Sequence, residues 1–320
     1  MAERRKIVVR VRLEERYLRQ LRDRFSDTDF VVATEDEAFA AALPEADAII
    51  GGAALSDAEL AAAQRLRWAQ VTSAGVEGWL TPALAKHPLK LTNFSGVSAP
   101  NIADHVLALL YAFARGLPEL LDRQRRKEWS HEAPATFEPA GQTLAILGLG
   151  DIGEELAKRA SGVGMRVLAM QRHPDAPPAG VAETVKSDEL PELLREADHV
   201  ALTLPLTAKT RGIIGAGELR LLRPSAYLYN VGRGQLIDQA ALIAALREGR
   251  LAGAGLDVTD PEPLPADSPL WELPNVIITG HHASATPRLW ERGIVLLEDN
   301  IERFLKGEEL RNEVDTKAGY

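Results

Sequence analysis

The feature that most constrains this chain is a succession of short apolar runs alternating with helix patterns, with a glycine turn set between one such run and the next helix. Strands that are apolar throughout belong to parallel sheets, because the crossover helices cover both faces and leave no side for polar residues. In the first third, strands are expected at 7–11, 29–33, 47–51, 68–72 and 89–94. A helix is expected over 14–25, and the alanine-rich stretch before 47 has helix character. Ser56 with Glu59 three residues on reads as a capping box. Between 101 and 129 lies one long helical segment. It is largely apolar from Ile102 to Ala114, so it should be buried, between domains or subunits, and it is basic over Arg123 to Lys127. A second alternating series begins at Thr143. Its strands are expected near 143–147, 166–170, 199–204, 226–231, 253–258 and 276–279, with helices over 152–161, 188–196, 216–222 and 238–248. Glu248-Gly249 is a glycine stop for the last of these. A final helix is expected over roughly 287–306.

This pattern predicts an α/β protein of two doubly wound parallel-sheet domains. If the final helix returns to the first domain, the second is inserted into it, giving 1–99 with 286–320 as one domain and 100–285 as the other. A chain of 320 residues can supply a core to each. There is no cysteine, which excludes disulfides, thiolate metal sites and cysteine nucleophiles. The net charge of −9 argues against general nucleic-acid binding. No apolar run reaches the roughly 18 residues of a membrane span. The charged start, Met1 to Lys6, lacks the apolar core of a signal peptide, so a cytoplasmic location is expected.

The glycine turn is Gly148-Leu149-Gly150-Asp151-Ile152-Gly153, between the run Leu144 to Leu147 and a helix. In that context the first glycine permits a tight turn, the second admits a pyrophosphate close to the backbone, and the third lets helix and strand pack together. The helix N-terminus favours the phosphate charge. An NAD-specific site places Asp or Glu at the end of the next strand. Here that position is Gln171, followed by Arg172, which can pair with a 2′-phosphate. NADP is favoured over NAD, and a solvated Arg172 with either cofactor accepted is the alternative.

Three reactive side chains follow in order: Arg233 in Asn230-Val231-Gly232-Arg233-Gly234, Glu262 in Leu256-Asp257-Val258-Thr259-Asp260-Pro261-Glu262-Pro263, and His281 in Thr279-Gly280-His281-His282. A guanidinium, a carboxylate and an imidazole suffice to hold a carboxylate substrate and move a proton. With the glycine turn and Leu204-Pro205-Leu206-Thr207, these motifs stand in an order that resembles the D-isomer-specific 2-hydroxyacid dehydrogenases over nearly the whole chain. Within that family the glyoxylate and hydroxypyruvate reductase branch is most similar.

The resemblance implies a flavodoxin-like substrate-binding domain and a Rossmann NAD(P)-binding domain. It implies that Arg233 holds the carboxylate and carbonyl of a small 2-oxo acid, that His281 is the acid/base, and that Glu262 hydrogen-bonds the other ring nitrogen. Ser73-Ala74-Gly75-Val76 matches the substrate loop; a plain strand-to-helix turn is the alternative. Gly148, Leu149, Gly150, Asp151, Ile152, Gln171, Arg172, Leu204, Pro205, Thr210, Val231 and Gly232 would line the cofactor, with His281 beside it. Asp257 matches the residue that binds the nicotinamide carboxamide, or has a structural loop role. Asn101 lies near the substrate or is a helix N-cap. Hydride transfer is direct, and no metal is expected. The family usually has proline before the active histidine, where this chain has Gly280, and His282 adds a second candidate. Adjacent residues on an extended segment would point to opposite sides. The implied activity is NAD(P)H-dependent reduction of glyoxylate-like 2-oxo acids to D-2-hydroxy acids, by a homodimer. A dinucleotide-sensing, corepressor-like module without turnover is the competing reading.

Overall fold

A computed structural model describes residues 4–172 and 177–316. In chain order the elements are β1 (Arg5–Val9), α1 (Glu15–Arg24), β2 (Thr28–Val32), α2 (Asp36–Ala42), β3 (Ala48–Ile50), α3 (Asp57–Ala62), β4 (Trp68–Gln70) and β5 (Lys90–Thr92). Then come α4 (Ala99–Ala114), α5 (Leu117–Arg125), β6 (Thr143–Leu147), α6 (Asp151–Gly162), β7 (Arg166–Met170), β8 (Glu183–Val185), α7 (Leu190–Glu196) and β9 (His199–Leu202). The chain ends with α8 (Ala216–Leu219), β10 (Tyr227–Asn230), α9 (Gln239–Arg247), β11 (Gly253–Leu256), β12 (Val276–Ile278) and α10 (Leu289–Lys306). Two compact units result: Met1–Ser98 with Thr286–Tyr320, and Ala99–Ala285.

The first unit is a five-stranded parallel sheet in the order β2-β1-β3-β4-β5, the flavodoxin-like arrangement. The two-residue period of a strand decides what each face receives. Ile7, Val9, Ile50 and Trp68 pack with Leu18 and Leu21 of α1 and with Ile294, Leu297 and Ile301 of α10. Val8, Ile49 and Ala69 point the other way, onto Phe39 and Leu60. The helix at the end of the chain therefore covers one face of this sheet. Ser56 caps α3: its Oγ accepts from Glu59 N at 3.3 Å, and its own N–H donates to Glu59 Oε2 at 2.8 Å.

The second unit is a seven-stranded parallel sheet, β12-β11-β10-β9-β6-β7-β8. Counted from β6, this is the Rossmann order, with the direction of winding reversing between β6 and β9. Every residue of β6 is buried. Ala145 and Leu147 face the core under α7 and α9, while Leu144 and Ile146 face α4 and α6. The apolar run of α4 is thereby accounted for: Val106, Leu109, Leu110 and Phe113 pack on this unit's own sheet.

The expected helix over 101–129 is broken. Gly116, at φ 61°, separates α4 from α5 as the residue before the second helix, Pro118 lies in the first turn of α5, and α5 stops at Arg125. Glycine takes a left-handed backbone without the steric cost of a Cβ, and proline fits the first turn of a new helix. The helix expected over 216–222 shortens to the four residues of α8, and β8 is a strand the sequence pattern does not reveal. At the amino end of β9, His199 is 1% exposed. Its Nε2 lies 2.7 Å from Gln142 Oε1 and its Nδ1 3.1 Å from Tyr229 OH. Burial pushes the pKa of this imidazole down to about 4.

Candidate active site

In an open parallel sheet, loops at the carboxyl ends of the strands form the binding edge, and the winding reversal is where ligands sit. The second unit puts the glycine turn at that point, after β6. Gly148 has φ 108°, and a Cβ there would meet Leu204 N at 3.0 Å. A Cβ on Gly153 would fall 2.3 Å from Gly148 O, so glycine is what lets α6 lie this close to the turn. A Cβ on Gly150 would meet nothing within 4 Å. The three positions thus differ as a dinucleotide site requires: a left-handed turn, an open approach, and a helix–strand contact. α6 begins at Asp151 directly behind the open glycine, so its N-terminal amides face the place a pyrophosphate would take.

The neighbouring strand ends complete this edge. Gln171 follows β7, with its N–H on Val185 O at 3.0 Å, and Arg172 is exposed beside it. After β9, Thr203 Oγ1 donates to Gly148 O at 2.6 Å and ties this strand end to the glycine turn. The turn through Leu204 and Pro205 is closed by Thr210, whose Oγ1 donates to Pro205 O at 2.7 Å. Val231 is buried at the end of β10.

Arg233, Glu262 and His281 follow β10, β11 and β12, three adjacent strands. The Arg233 turn is held from below by Asn230, which is fully buried. Its Nδ2 donates to Arg233 O at 2.9 Å and its Oδ1 accepts from Gly232 N at 3.1 Å. A Cβ on Gly234 would lie 1.9 Å from Thr259 O. The loop after β10 therefore rests directly on the loop that carries Glu262. His281 Nδ1 is 2.5 Å from Glu262 Oε1. A carboxylate only accepts, so Nδ1 holds the proton and donates; in the neutral ring Nε2 keeps a lone pair.

The segment at His281 is not extended. Gly280 has φ 58° and His281 φ 63°. A left-handed backbone costs an ordinary residue roughly 1–2 kcal/mol and persists where the surroundings over-determine it. Here Asp257 supplies the constraint. Its carbonyl accepts from His281 N at 2.6 Å. Its carboxylate, on a residue 3% exposed, accepts from His282 N at 2.8 Å and from Ala283 N at 3.0 Å. Asp257 thus holds the 281–283 backbone through three N–H groups. The two adjacent histidines take different partners, since His282 Nδ1 donates to Thr279 O at 2.9 Å. Asn101 is not an N-cap: it lies in the first turn of α4, and its Nδ2 donates to Ala283 O at 2.8 Å.

Ser73, Ala74, Gly75 and Val76 belong to the first unit, at the carboxyl end of β4. Ser73 Oγ donates to Gly75 O and Asn93 Nδ2 to Ala74 O, both at 2.8 Å, which fixes the bend. Val76 is a core residue, so its side chain anchors the bend. A single turn, 77–79, follows in place of a full helix. Sequence reasoning assigned nothing to Asn230 or Thr279. No local signal separates either from an ordinary strand end. Among the described residues, no group of three or more His, Cys, Asp or Glu is placed to hold a metal, and no helix is long and apolar enough to cross a membrane.

Residues 107–283 match the family described as D-isomer specific 2-hydroxyacid dehydrogenase, NAD binding domain. Over 303 residues the chain is 38% identical to a glyoxylate/hydroxypyruvate reductase B of Pectobacterium carotovorum, covering 91% of this chain and 93% of the relative. The crystal structure of a D-isomer specific 2-hydroxyacid dehydrogenase family protein from Aeromonas salmonicida aligns with a TM-score of 0.87 at 31% identity, covering 98% and 99% of the two chains. A D-isomer specific 2-hydroxyacid dehydrogenase from Xanthobacter autotrophicus, in complex with NADPH and MES, aligns over 100% of both chains with a TM-score of 0.84 at 30% identity.

Proposed function

The chain belongs to the D-isomer specific 2-hydroxyacid dehydrogenase family, and from that premise we propose that it reduces small 2-oxo acids of the glyoxylate and hydroxypyruvate kind to D-2-hydroxy acids. The observation that carries this reading is the 2.5 Å contact of His281 Nδ1 with Glu262 Oε1, on a left-handed residue at the carboxyl edge of the sheet. That contact leaves Nε2 as the ring atom available for proton transfer. In reduction, Nε2–H gives its proton to the substrate carbonyl oxygen; in oxidation, Nε2 takes the hydroxyl proton back. Glu262 holds the ring in the orientation that this transfer needs. Arg233, on the adjacent loop, pairs with the substrate carboxylate through its planar guanidinium. By the family resemblance, the bend Ser73 to Val76 is a substrate loop whose backbone N–H groups would bind a carboxylate.

The nicotinamide, when bound, supplies the hydride. Gly148 to Ile152 would hold the pyrophosphate, Leu204, Pro205, Thr210, Val231 and Gly232 would line the dinucleotide, and Arg172 would pair with a 2′-phosphate. NADPH is favoured because no acidic side chain stands at Gln171 to repel that phosphate, and because the Xanthobacter neighbour was crystallised with NADPH. The same reading carries a homodimer and a cytoplasmic location. A panel of 2-oxo acids assayed with NADPH and NADH side by side tests the activity. Turnover of glyoxylate or hydroxypyruvate, faster with NADPH, is expected. Dinucleotide binding without turnover of any 2-oxo acid would overturn the reading in favour of a sensing module.

A further inference from the structure

α4 is an apolar helix, yet it carries Asn101 and His105 one turn apart, which places both on the same face. Packing does not explain them, and both reach the segment that bears His281. Asn101 donates to Ala283 O. His105 Nε2 lies 2.9 Å from Thr279 Oγ1, and Thr279 Oγ1 lies 2.6 Å from Asp257 Oδ1. The protons in this chain can be assigned by counting. Asp257 is a carboxylate and brings none, so the threonine hydroxyl donates to it. That uses the one hydroxyl proton, so Oγ1 accepts from His105, whose Nε2 must carry a hydrogen. The order is His105 Nε2–H to Thr279 O–H to Asp257. His105 Nε2 is itself 3.7 Å from Asp257 Oδ1. The carboxylate at the end of this line also grips the backbone N–H groups of His282 and Ala283.

We infer that Thr279 and His105 are positioning residues for His281, acting by locking the Asp257 carboxylate that holds the left-handed 280–283 segment in place. The inference rests on the proposed acid/base role of His281. Neither residue touches substrate; each acts through Asp257. Loss of the hydroxyl leaves Asp257 with its backbone partners and the more distant His105, and takes from His105 Nε2–H its near acceptor. The 280–283 segment then samples other backbone states, and His281 leaves its place on Glu262 for part of the time.

The test uses Thr279→Val, which removes the hydroxyl at nearly constant shape, Thr279→Ser, which restores it, and His105→Leu. Supporting groups behind a reacting residue commonly contribute about 10–100-fold. For Thr279→Val with glyoxylate and NADPH, kcat should fall by about that factor. KM for glyoxylate and the Kd of NADPH, read by fluorescence, should stay within about threefold. Thr279→Ser should return kcat to within about threefold of the parent, and His105→Leu should lower it about tenfold. Hydrogen exchange of the unliganded protein gives a second readout: amide protection at His281, His282 and Ala283 should drop at least about tenfold in Thr279→Val, with the rest of the sheet unchanged. Wild-type kcat in Thr279→Val, equal losses in the Val and Ser variants, or unchanged amide protection would each overturn the inference. If Thr279→Val does not fold, His105→Leu decides by the same two readouts. If the parent turns over no 2-oxo acid, the proposed function fails, while amide exchange still decides whether this line of groups holds the segment.

Discussion

Replacing Gly234 with alanine probes the join between the two loops that carry Arg233 and Glu262. The new Cβ would sit 1.9 Å from Thr259 O and 2.1 Å from its carbonyl carbon. Both atoms are backbone, so no side chain can swing away. A tolerable contact of about 3.0 Å requires the loops to separate by about 1.1 Å, the difference between 3.0 and 1.9. Arg233 immediately precedes it, so its guanidinium moves with the turn relative to the Glu262–His281 pair. A displacement of about 1 Å at a reacting centre can lower turnover about 100-fold. Overpacking of this kind costs about 1–3 kcal/mol of stability, which should appear as a lowered Tm in a protein that still folds. The assay is steady-state reduction of glyoxylate with NADPH, together with thermal unfolding. Gly217→Ala is the control, because its Cβ meets nothing within 4 Å; both kcat and Tm should stay near the parent. A Gly234→Ala enzyme with kcat/KM within about twofold of the parent would refute the claim that the two loops are held in one required register.

Three further outcomes follow from the same geometry. Arg172→Ala should raise KM for NADPH by about tenfold while leaving KM for NADH nearly unchanged, as expected for loss of one charge-assisted pair with a 2′-phosphate; an equal effect on both cofactors contradicts that role. Arg233→Ala should raise KM for the 2-oxo acid by about tenfold or more with NADPH affinity intact, and unchanged substrate kinetics would reject its carboxylate contact. For His199 the folded pKa of about 4 lies below the unfolded value of 6.5, so the unfolded chain takes up the proton first as pH falls. The associated stability is present in full above pH 6.5 and is lost as pH falls towards about 4, at most about 3 kcal/mol for this shift. Urea unfolding at pH 7, 5.5 and 4.5 should show a shallower decline in His199→Gln than in the parent, and parallel declines would contradict the buried neutral imidazole.

What could be read from the sequence depended on the range over which each feature is specified. The glycine turn is local: strand, Gly148-Leu149-Gly150, and helix are contiguous, and the structure gives each glycine a separate steric reason. The cap at Ser56 is equally local. Both sheets follow from strands of uniform apolarity, which leave no other way to bury two faces. The break at Gly116 escaped detection because the helical pattern continues on both sides of it, and one glycine inside a helix pattern is usually tolerated. β8 escaped because Glu183–Val185 is three residues long and half exposed, with no alternation to register. The backbone of His281 could not be foreseen either. Its left-handed φ depends on Asp257, which follows a different strand. The same limit hid Thr279 and His105: positions 105, 257 and 279 meet only once β11, β12 and α4 are assembled. The helix returning after His281 was visible as a pattern, and α10 covers one face of the first sheet.

The central claim is that one particular imidazole, His281 held by Glu262, moves the proton. Its most direct measurement is kcat for glyoxylate in His281→Asn and in His282→Asn, with NADPH binding followed in both by fluorescence. The account predicts a fall of about three orders of magnitude or more for His281→Asn, near-parent kcat for His282→Asn, and unchanged NADPH affinity in each. Parent-like turnover in His281→Asn, or a collapse in His282→Asn instead, would contradict it.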